Sequence, residues 1–296
     1  MSLQSFVAYL SHEKNYSTHT VVAYERDVVE FTVFCNDMYG VDQIEDAAYH
    51  WIRSWIVKMV NSGITNRSIN RKISSLKAYY KFLLKIQRIT INPLSRHKVL
   101  KTAKRIEVPF SESEMENVLS KIPFKNDFEG VRDKLIIELL YTAGIRRAEL
   151  INLKINDFDT VQKTLKVLGK RNKERVLPLL PSTSSLFNEY LKQRFQHGNA
   201  AGVSYVFLTS AGHKIYETLV YRVINKYLGM VSPKVKKSPH ILRHTFATHL
   251  LNKGADLNSV KELLGHTSLA STQVYTHNSI AELKEVHSTA HPRNKE

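Results

Sequence analysis

Ile69, Ile73, Leu76, Tyr80 and Leu83 recur at intervals of four, three, four and three. That period belongs to an α-helix with one apolar face. A face of this length has to be buried, so it commits its part of the chain to a helical bundle. Lys77, Lys81, Lys85 and Arg88 repeat at four, four and three on a neighbouring face. The helix, expected over about 66–87, thus turns one face to a core and a basic one to its surroundings. A solvated face would carry acidic residues at i+4 beside these cations. None stand there, so contact with phosphates is the expected use of the stripe.

The helix lies within a wider asymmetry of charge. Residues 47–106 hold 14 basic residues and no Asp or Glu, a net of +14. Residues 1–46 carry a net of −6 and residues 107–296 a net of +8, which makes +16 for the 296-residue chain. A stretch without carboxylates has no ion-pair partner of its own and is expected to face a polyanion. Nucleic acid is the leading partner and an anionic membrane surface the second. A surface kept basic for solubility would mix its signs, and the apolar seam is better used inside a bundle than on a membrane. The hydrophobic share of 43% supports a packed core and excludes a disordered polycation. No run approaches the ~20 apolar residues of a membrane span, and the N-terminus lacks the order of a secretory signal. Cys35 is the only cysteine, so no intrachain disulfide can form. These features describe a soluble, cytoplasmic protein.

Helical periodicity continues on both sides of the seam. Ser17 and Thr18 are placed to open a helix running to about Cys35. Trp51 and Trp55 lie at i, i+4 in another, over 47–61, closed by Gly63. Residues 1–90 therefore read as one helical domain. Residues 91–107 contain Pro93, Arg96, Lys98, Lys101, Lys104 and Arg105 without a sustained period, and read as a basic linker. Beyond it, Ser111 and Glu114 have capping-box spacing. A Leu- and Ile-rich helix over 131–143 leads to Gly144-Ile145-Arg146-Arg147-Ala148-Glu149-Leu150, a break followed by a new helix. Thr164–Leu168 and Arg175–Leu179 flank a polar turn and predict a hairpin. Tyr205–Thr209 is expected as a third strand, turning at Gly212. Helices are expected at about 217–229, 240–253, 256–264, 268–276 and 279–289. The fold class is mainly α, with a small antiparallel sheet in the second domain.

His240 and Arg243 lie at i, i+3 on one helical face. Leu264-Gly265-His266 follows, then Tyr275 nine residues later; upstream stand Arg146 and, at the hairpin tip, Lys170. In a basic protein this set suits phosphodiester cleavage by a tyrosine. A phenol, with a pKa of about 10, is a weak nucleophile until its proton is taken or its anion stabilised. Attack at phosphorus gathers charge on the non-bridging oxygens, which guanidinium forks neutralise. A lysine can protonate the leaving 5′ oxygen. The arginines make a metal unnecessary, and no cofactor is expected. His240 and His244 have the i, i+4 spacing of some zinc sites, but neither an H-E-x-x-H glutamate nor a cysteine cluster accompanies them. His244 is read as a residue that packs or that supports the site from behind, and Gly265 as the pivot of a tight turn.

The stretches TAGIRRAELINL, LGKRNKERVLPL, HILRHTFATHLL, LLGHTSLASTQVYTH and SIAELKEVHSTAHPR follow one another at characteristic spacing. On these the chain resembles the tyrosine recombinase/phage integrase family, and within it the bacterial Xer-type site-specific recombinases. The resemblance covers essentially the whole chain. It implies a four-helix, SAM-like core-binding domain over 1–90, a basic linker over 91–107 and a mostly helical α+β catalytic domain over 108–296, closing as a C-shaped clamp on duplex DNA. It also implies roles. Arg146 and Arg243 would clamp the scissile phosphate, Lys170 would be the general acid, and His240 would assist proton transfer. His266 would hydrogen-bond the phosphate, and Tyr275 would attack to form a 3′-phosphotyrosyl link. Glu149 would orient the first arginine. The family's order selects Arg146, with Ile145 in place of Leu, while Arg147 beside it and Lys173 beside Lys170 remain competitors. DNA contacts are expected from Arg67, Arg71, Lys77, Lys81, Lys85, Arg88, Lys101, Lys104 and Arg105.

The implied function is strand exchange through a Holliday junction that resolves chromosome dimers during cell division. A mobile-element integrase or phase-variation invertase is the near alternative, and a non-catalytic DNA-binding protein the alternative of a different class. The implied partners are double-stranded DNA with a dif-like site, a homo- or hetero-tetramer on synapsed DNA, a second Xer-type recombinase and an FtsK-type DNA translocase. The implied location is the bacterial cytoplasm, at the nucleoid, with no membrane partner. The last helix, about 279–289, carries Ile280, Leu283 and Val286 at three-residue spacing and is expected to dock on a neighbouring protomer.

Overall fold

The computed structural model describes residues 2–103, 107–169, 173–197, 202–234, 237–265 and 277–294. They form two compact units, Met1–Arg105 and Ile106–Glu296. Among the described residues the protein is mainly helical, with one small antiparallel sheet.

The first unit is built on four α-helices: α1 (Ser2–Ala8, prolonged by a wider turn over Tyr9–Glu13), α2 (Thr18–Tyr39), α3 (Tyr49–Asn61) and α4 (Asn66–Lys85). The Ser17 hydroxyl accepts from the Thr20 N–H and so caps α2, and Thr65 caps α4 through the Ser68 N–H. All five seam residues of α4 are buried, in one core with Phe6, Phe31 and Trp55. The Tyr80 hydroxyl, carried into this core, donates to the Ile44 carbonyl at 2.9 Å.

The basic stretch finds part of its counter-charge inside the chain, which corrects the expectation that a polyanion alone must supply it. Arg71 forks onto Asp27 of α2, Lys72 reaches both Asp27 and Glu30, and the Ser75 hydroxyl donates to Asp27 at 2.7 Å. Lys85 pairs with Glu13 at 2.6 Å. Spacing along one helix reveals only i+4 partners. Here the carboxylates come from the acidic first 46 residues, packed alongside α4. Arg67, Lys77, Lys81, Arg88 and Lys101 are exposed.

Residues beyond α4 stay with this unit. Leu94 is fully buried in its core. The Asn70 side chain pairs with both backbone polar groups of Leu100, at 2.9 Å each, and Asn66 donates to the Lys101 carbonyl. Lys104 and Arg105 lie outside the described residues.

The second unit opens with α5 (Glu112–Glu116), entered through a complete Ser111/Glu114 capping box. Then come α6 (Phe128–Thr142), α7 (Arg147–Asn152), the strands β1 (Phe158–Asp159), β2 (Thr164–Leu168) and β3 (Glu174–Pro178), and α8 (Pro181–Gln196). They are followed by α9 (Glu217–Val231), α10 (Pro239–Asn252), α11 (Leu257–Leu264) and α12 (His277–Ala290). The sheet runs β1-β2-β3, antiparallel throughout, with Leu165 opposite Leu177 and Val167 opposite Arg175. α6 is buried along almost its whole length, so the core of the unit forms around it.

Two expectations differ from what is found. The third strand is Phe158–Asp159; Tyr205–Thr209 makes only isolated bridges, to Lys154 and Lys214. Its backbone is satisfied by a loop instead: the Val206 N–H donates to Leu153 and the Ser204 carbonyl accepts from Ile155. Helix α8 was not anticipated, although Pro181 at its first position and buried Leu186, Phe187 and Tyr190 are the appropriate signals. The helix expected over 268–276 lies outside the described residues. Among the described residues no helix is long and apolar enough to cross a membrane.

Candidate active site

The turn between α6 and α7 places the first arginine. Gly144 adopts φ +58, and a Cβ there would fall 2.3 Å from the Phe246 ring, so only glycine lets the chain pass α10 this closely. Arg146 stands before α7 as its N-cap, in extended conformation, rather than on the helix beside Arg147. Glu149, one turn into α7, accepts from the Arg146 N–H at 2.8 Å and from Arg146 Nη1 at 2.8 Å. Arg147 turns away and pairs with Glu217 of α9 at 2.6 Å. The two adjacent arginines are thereby separated: Arg146 is held by Glu149, Arg147 by a different helix.

Arg243 comes from α10, whose start is set by the Ser238 cap and by Pro239 at the first helical position. Its side chain is 5% exposed. Nη1 donates to the Gly144 carbonyl at 2.6 Å, and Nη2 donates to the Leu264 carbonyl. One guanidinium thus joins the turn before Arg146 to the end of α11. Burial, and next the Arg146 cation, push the Arg243 guanidinium down to about 10, so it remains charged at neutral pH. His240 lies one turn earlier on the same helix and is exposed. So is His244, and the packing role expected of it is not seen. His249 is the packed histidine of α10: Nδ1 meets the Tyr141 hydroxyl and Nε2 donates to the Phe110 carbonyl, each at 2.9 Å.

A third arginine, Arg175 on β3, was missed as a site residue. It is buried and forks onto Glu149, Nη1 to Oε1 at 3.0 Å and Nη2 to Oε2 at 2.8 Å, while Nε donates to the Leu263 carbonyl at 3.1 Å. Burial pushes the Glu149 carboxyl up, but the Arg175 fork, followed by Arg146, holds it at about 2. The sequence signal was the basic residue at an inward-facing strand position, opposite Val167. Gly265 is more than a turn residue. It adopts φ +62, and a Cβ there would meet the Arg175 side chain at 3.1–3.3 Å.

Lys170, His266 and Tyr275 lie outside the described residues. Lys173 is exposed, and its carbonyl accepts from the Gly169 N–H at 2.7 Å across the base of the hairpin. Helix α12 packs on its own unit, with Leu283 and Ala290 in the core. His287 donates to the Thr142 carbonyl at 2.6 Å and His291 to the Tyr141 carbonyl at 3.3 Å. The buried face therefore runs through 283, 287 and 290, not 280, 283 and 286. Two imidazoles serve on it as apolar rings that also satisfy the last carbonyls of α6.

Two buried or half-buried cations, fixed by one carboxylate and by backbone carbonyls, have the chemistry to stabilise an anion such as a phosphate. Residues 113–282 match the phage integrase family, and residues 3–87 match the phage integrase N-terminal SAM-like domain. A tyrosine recombinase XerC of Chlorobaculum parvum is 36% identical, over 98% of this chain and 94% of its own length. Those of Bacillus pumilus and Bacillus subtilis are 38% and 36% identical, each over 97% of this chain and 95% of their own length. Among solved structures, the Tn1549 transposon integrase in complex with transposon right end DNA has a TM-score of 0.71 at 22% identity, covering 96% of this chain and 99% of that one. The XerH site-specific recombinase bound to palindromic difH substrate also has 0.71 at 22%, covering 97% and 84%. These two likenesses concern the fold.

The chain belongs to the phage integrase family of tyrosine recombinases, enzymes that break and rejoin DNA. Its full-length relatives of the XerC type place it with site-specific recombination.

Proposed function

We propose that this protein grips a dif-like DNA site, cuts one strand with Tyr275, holds the end as a 3′-phosphotyrosine and exchanges strands through a Holliday junction to resolve chromosome dimers. The observation that carries the chemistry is the joint fixing of Arg146 and Arg243. Arg146 is clasped by Glu149, and Arg243 is tied to the carbonyl of Gly144, two residues before Arg146. Each cation raises the electrostatic cost of the other until an anion arrives, and a scissile phosphate relieves that cost.

In this reading the Tyr275 hydroxyl oxygen attacks phosphorus while its proton passes toward His240. The P–O5′ bond breaks and Lys170 protonates the departing oxygen. Arg146, Arg243 and His266 neutralise the charge on the non-bridging oxygens. Rejoining runs the same steps backwards with a new 5′ hydroxyl, so the bond energy is kept in the phosphotyrosine. Residues 1–90 serve as the core-binding domain and 108–296 as the catalytic domain, joined by the basic stretch 91–107, of which Leu94, Leu100 and Lys101 stay with the first unit. Arg67, Lys77, Lys81, Arg88 and Lys101, all exposed, supply phosphate contacts along with Lys104 and Arg105. Arg71 and Lys85 share themselves with Asp27 and Glu13.

The XerC-type relatives make chromosome partition the favoured biological setting, and the proposed location is the cytoplasm, at the nucleoid. In this reading the protein works as a tetramer on synapsed DNA, with a second Xer-type recombinase and an FtsK-type translocase as partners. The test is a nicked suicide duplex carrying the site. A covalent protein–DNA adduct should form and vanish in Tyr275→Phe; an undiminished adduct in that variant rejects the assignment. Mapping the adduct on genomic DNA separates a single chromosomal dif-like site from mobile-element ends or invertible segments.

A further inference from the structure

Arg175 has no place in the steps above, yet it is tied into the site more completely than any other cation described. It is 4% exposed, and all three guanidinium nitrogens donate, two to Glu149 and one to the Leu263 carbonyl. A guanidinium whose Nε and both Nη atoms already donate to the protein is occupied in holding its neighbours. Its effect has to pass through what it holds.

An ionised carboxylate offers about four acceptor positions. In Glu149 they are filled in two pairs. Arg175 takes one position on each oxygen; the Arg146 N–H takes a second on Oε2 and Arg146 Nη1 a second on Oε1. The orientation of the carboxylate, and with it the position of the Arg146 guanidinium, is thus set from the Arg175 side. The same guanidinium collects two more segments. At the end of α11 the Leu263 carbonyl accepts from it, and the chain passes over it at Gly265. At the base of the β2–β3 hairpin, a Cβ on Gly169 would lie 3.6 Å from Arg175 Nη1 and 3.8 Å from Glu149 Oε1. Arg243 then takes the next carbonyl along, that of Leu264.

This arrangement is costly for structure alone. Buried ion pairs are commonly replaced by apolar residues with no loss of stability. Here one buried carboxylate serves two arginines beside a third, which leaves an excess of positive charge until an anion binds. We infer that Arg175 is a positioning residue for DNA cleavage: it fixes Glu149, and through it Arg146, while tying the hairpin base and the end of α11 to the same point. This rests on the reading of Arg146 as a phosphate clamp.

The test uses the full-length protein and suicide duplexes with either a phosphodiester or a neutral methylphosphonate at the scissile position. A guanidinium that is needed to neutralise phosphate charge matters less on the methylphosphonate. Arg175→Lys keeps the charge but cannot fork onto the carboxylate. It should lose about a hundredfold in adduct rate on the phosphodiester, at unchanged DNA affinity, and recover most of that loss on the methylphosphonate. Arg146→Ala should show the same preference. Arg175→Met removes the fork altogether while Glu149 stays paired with Arg146; a thermal melt checks that it folds, and it should show the same linkage preference as Arg175→Lys. Wild-type rates in Arg175→Lys, or an equal loss on both linkages, overturn the inference. Absence of any linkage preference in Arg146→Ala instead rejects the clamp reading itself, whatever Arg175 does.

Discussion

Gly265 shows how closely single residues are bound to the site. Its positive φ costs a side-chain-bearing residue about 1–2 kcal/mol, and a Cβ would also press on the Arg175 guanidinium. Gly265→Ala should therefore lower the thermal stability of the second unit by about that amount and slow adduct formation more than it weakens DNA binding. Equal slowing and weakening would show that the glycine acts only on folding. At this scale the sequence was informative where chemistry follows from short spacing. Arg146 and Glu149 stand three residues apart, and the cap of α7 brings them together; His240 and Arg243, also three apart, share one helix. Arg175 stands 26 residues from Glu149. Its role exists only in a tertiary contact, and within a strand it reads as one more cation. The same holds for Asp27, which no pattern links to Arg71 or Lys72. Burial raises the Asp27 carboxyl, but hydrogen bonds from Arg71, Ser75 and Lys72 bring it below its ordinary value. Asp27→Ala, which leaves these cations without their carboxylate, should destabilise the first unit by about 3 kcal/mol, measured by urea unfolding. A change within about 0.5 kcal/mol, the range of an exposed substitution, would mean that the cluster is a surface feature.

Among the elements, α12 has the clearest dependence on pH. His287 is 2% exposed, and burial holds its imidazole at about 4; His291 is also held well below the ordinary histidine value by burial. Tyr141, His249 and Arg293 surround the pair, and Arg293 binds Glu116 and Glu138. In the unfolded chain the imidazoles titrate near about 6.5. Docking is therefore at full strength above that pH and weakens as pH falls toward 4, because the undocked form takes up the protons. For His287 alone the difference amounts to about 3 kcal/mol. Amide exchange in α12 should accelerate below about pH 6 in the native protein. In His287→Gln, which keeps a donor that does not titrate, the acceleration should be smaller. The same acid response in both proteins would remove His287 as its cause. Apolar residues revealed α2, α3, α4, α9, α10 and α11, and α6 stood out as a Leu- and Ile-rich run because it is buried on nearly all sides. Periodicity misjudged the buried face of α12 because histidine counts as polar in such a pattern. It passed over α8, whose polar first turn, Pro181-Ser182-Thr183-Ser184-Ser185, reads as a loop until the Pro at the first helical position is noticed.

For the whole molecule, charge is the property that separates grip from chemistry. The excess of +16 pointed to a polyanion, but the contacts inside the first unit divide its cations into two groups. Arg71 and Lys85 are already paired, while Lys77 and Lys81 are exposed on the same helix. A cation that neutralises a phosphate releases a counterion, so each contributes roughly 0.9 to the slope of log affinity against log salt. Lys77→Gln with Lys81→Gln should lower that slope by about 2 and weaken binding most at low salt. Arg71→Gln should change the slope less, because its loss exposes Asp27 rather than a phosphate. Neither change touches Glu149, Arg175 or the arginines they orient. Once DNA is saturating, the rate of adduct formation should match that of the unaltered protein in the double lysine variant. If that rate falls in step with affinity, the stripe takes part in catalysis, and the separation of a gripping unit from a cleaving one fails.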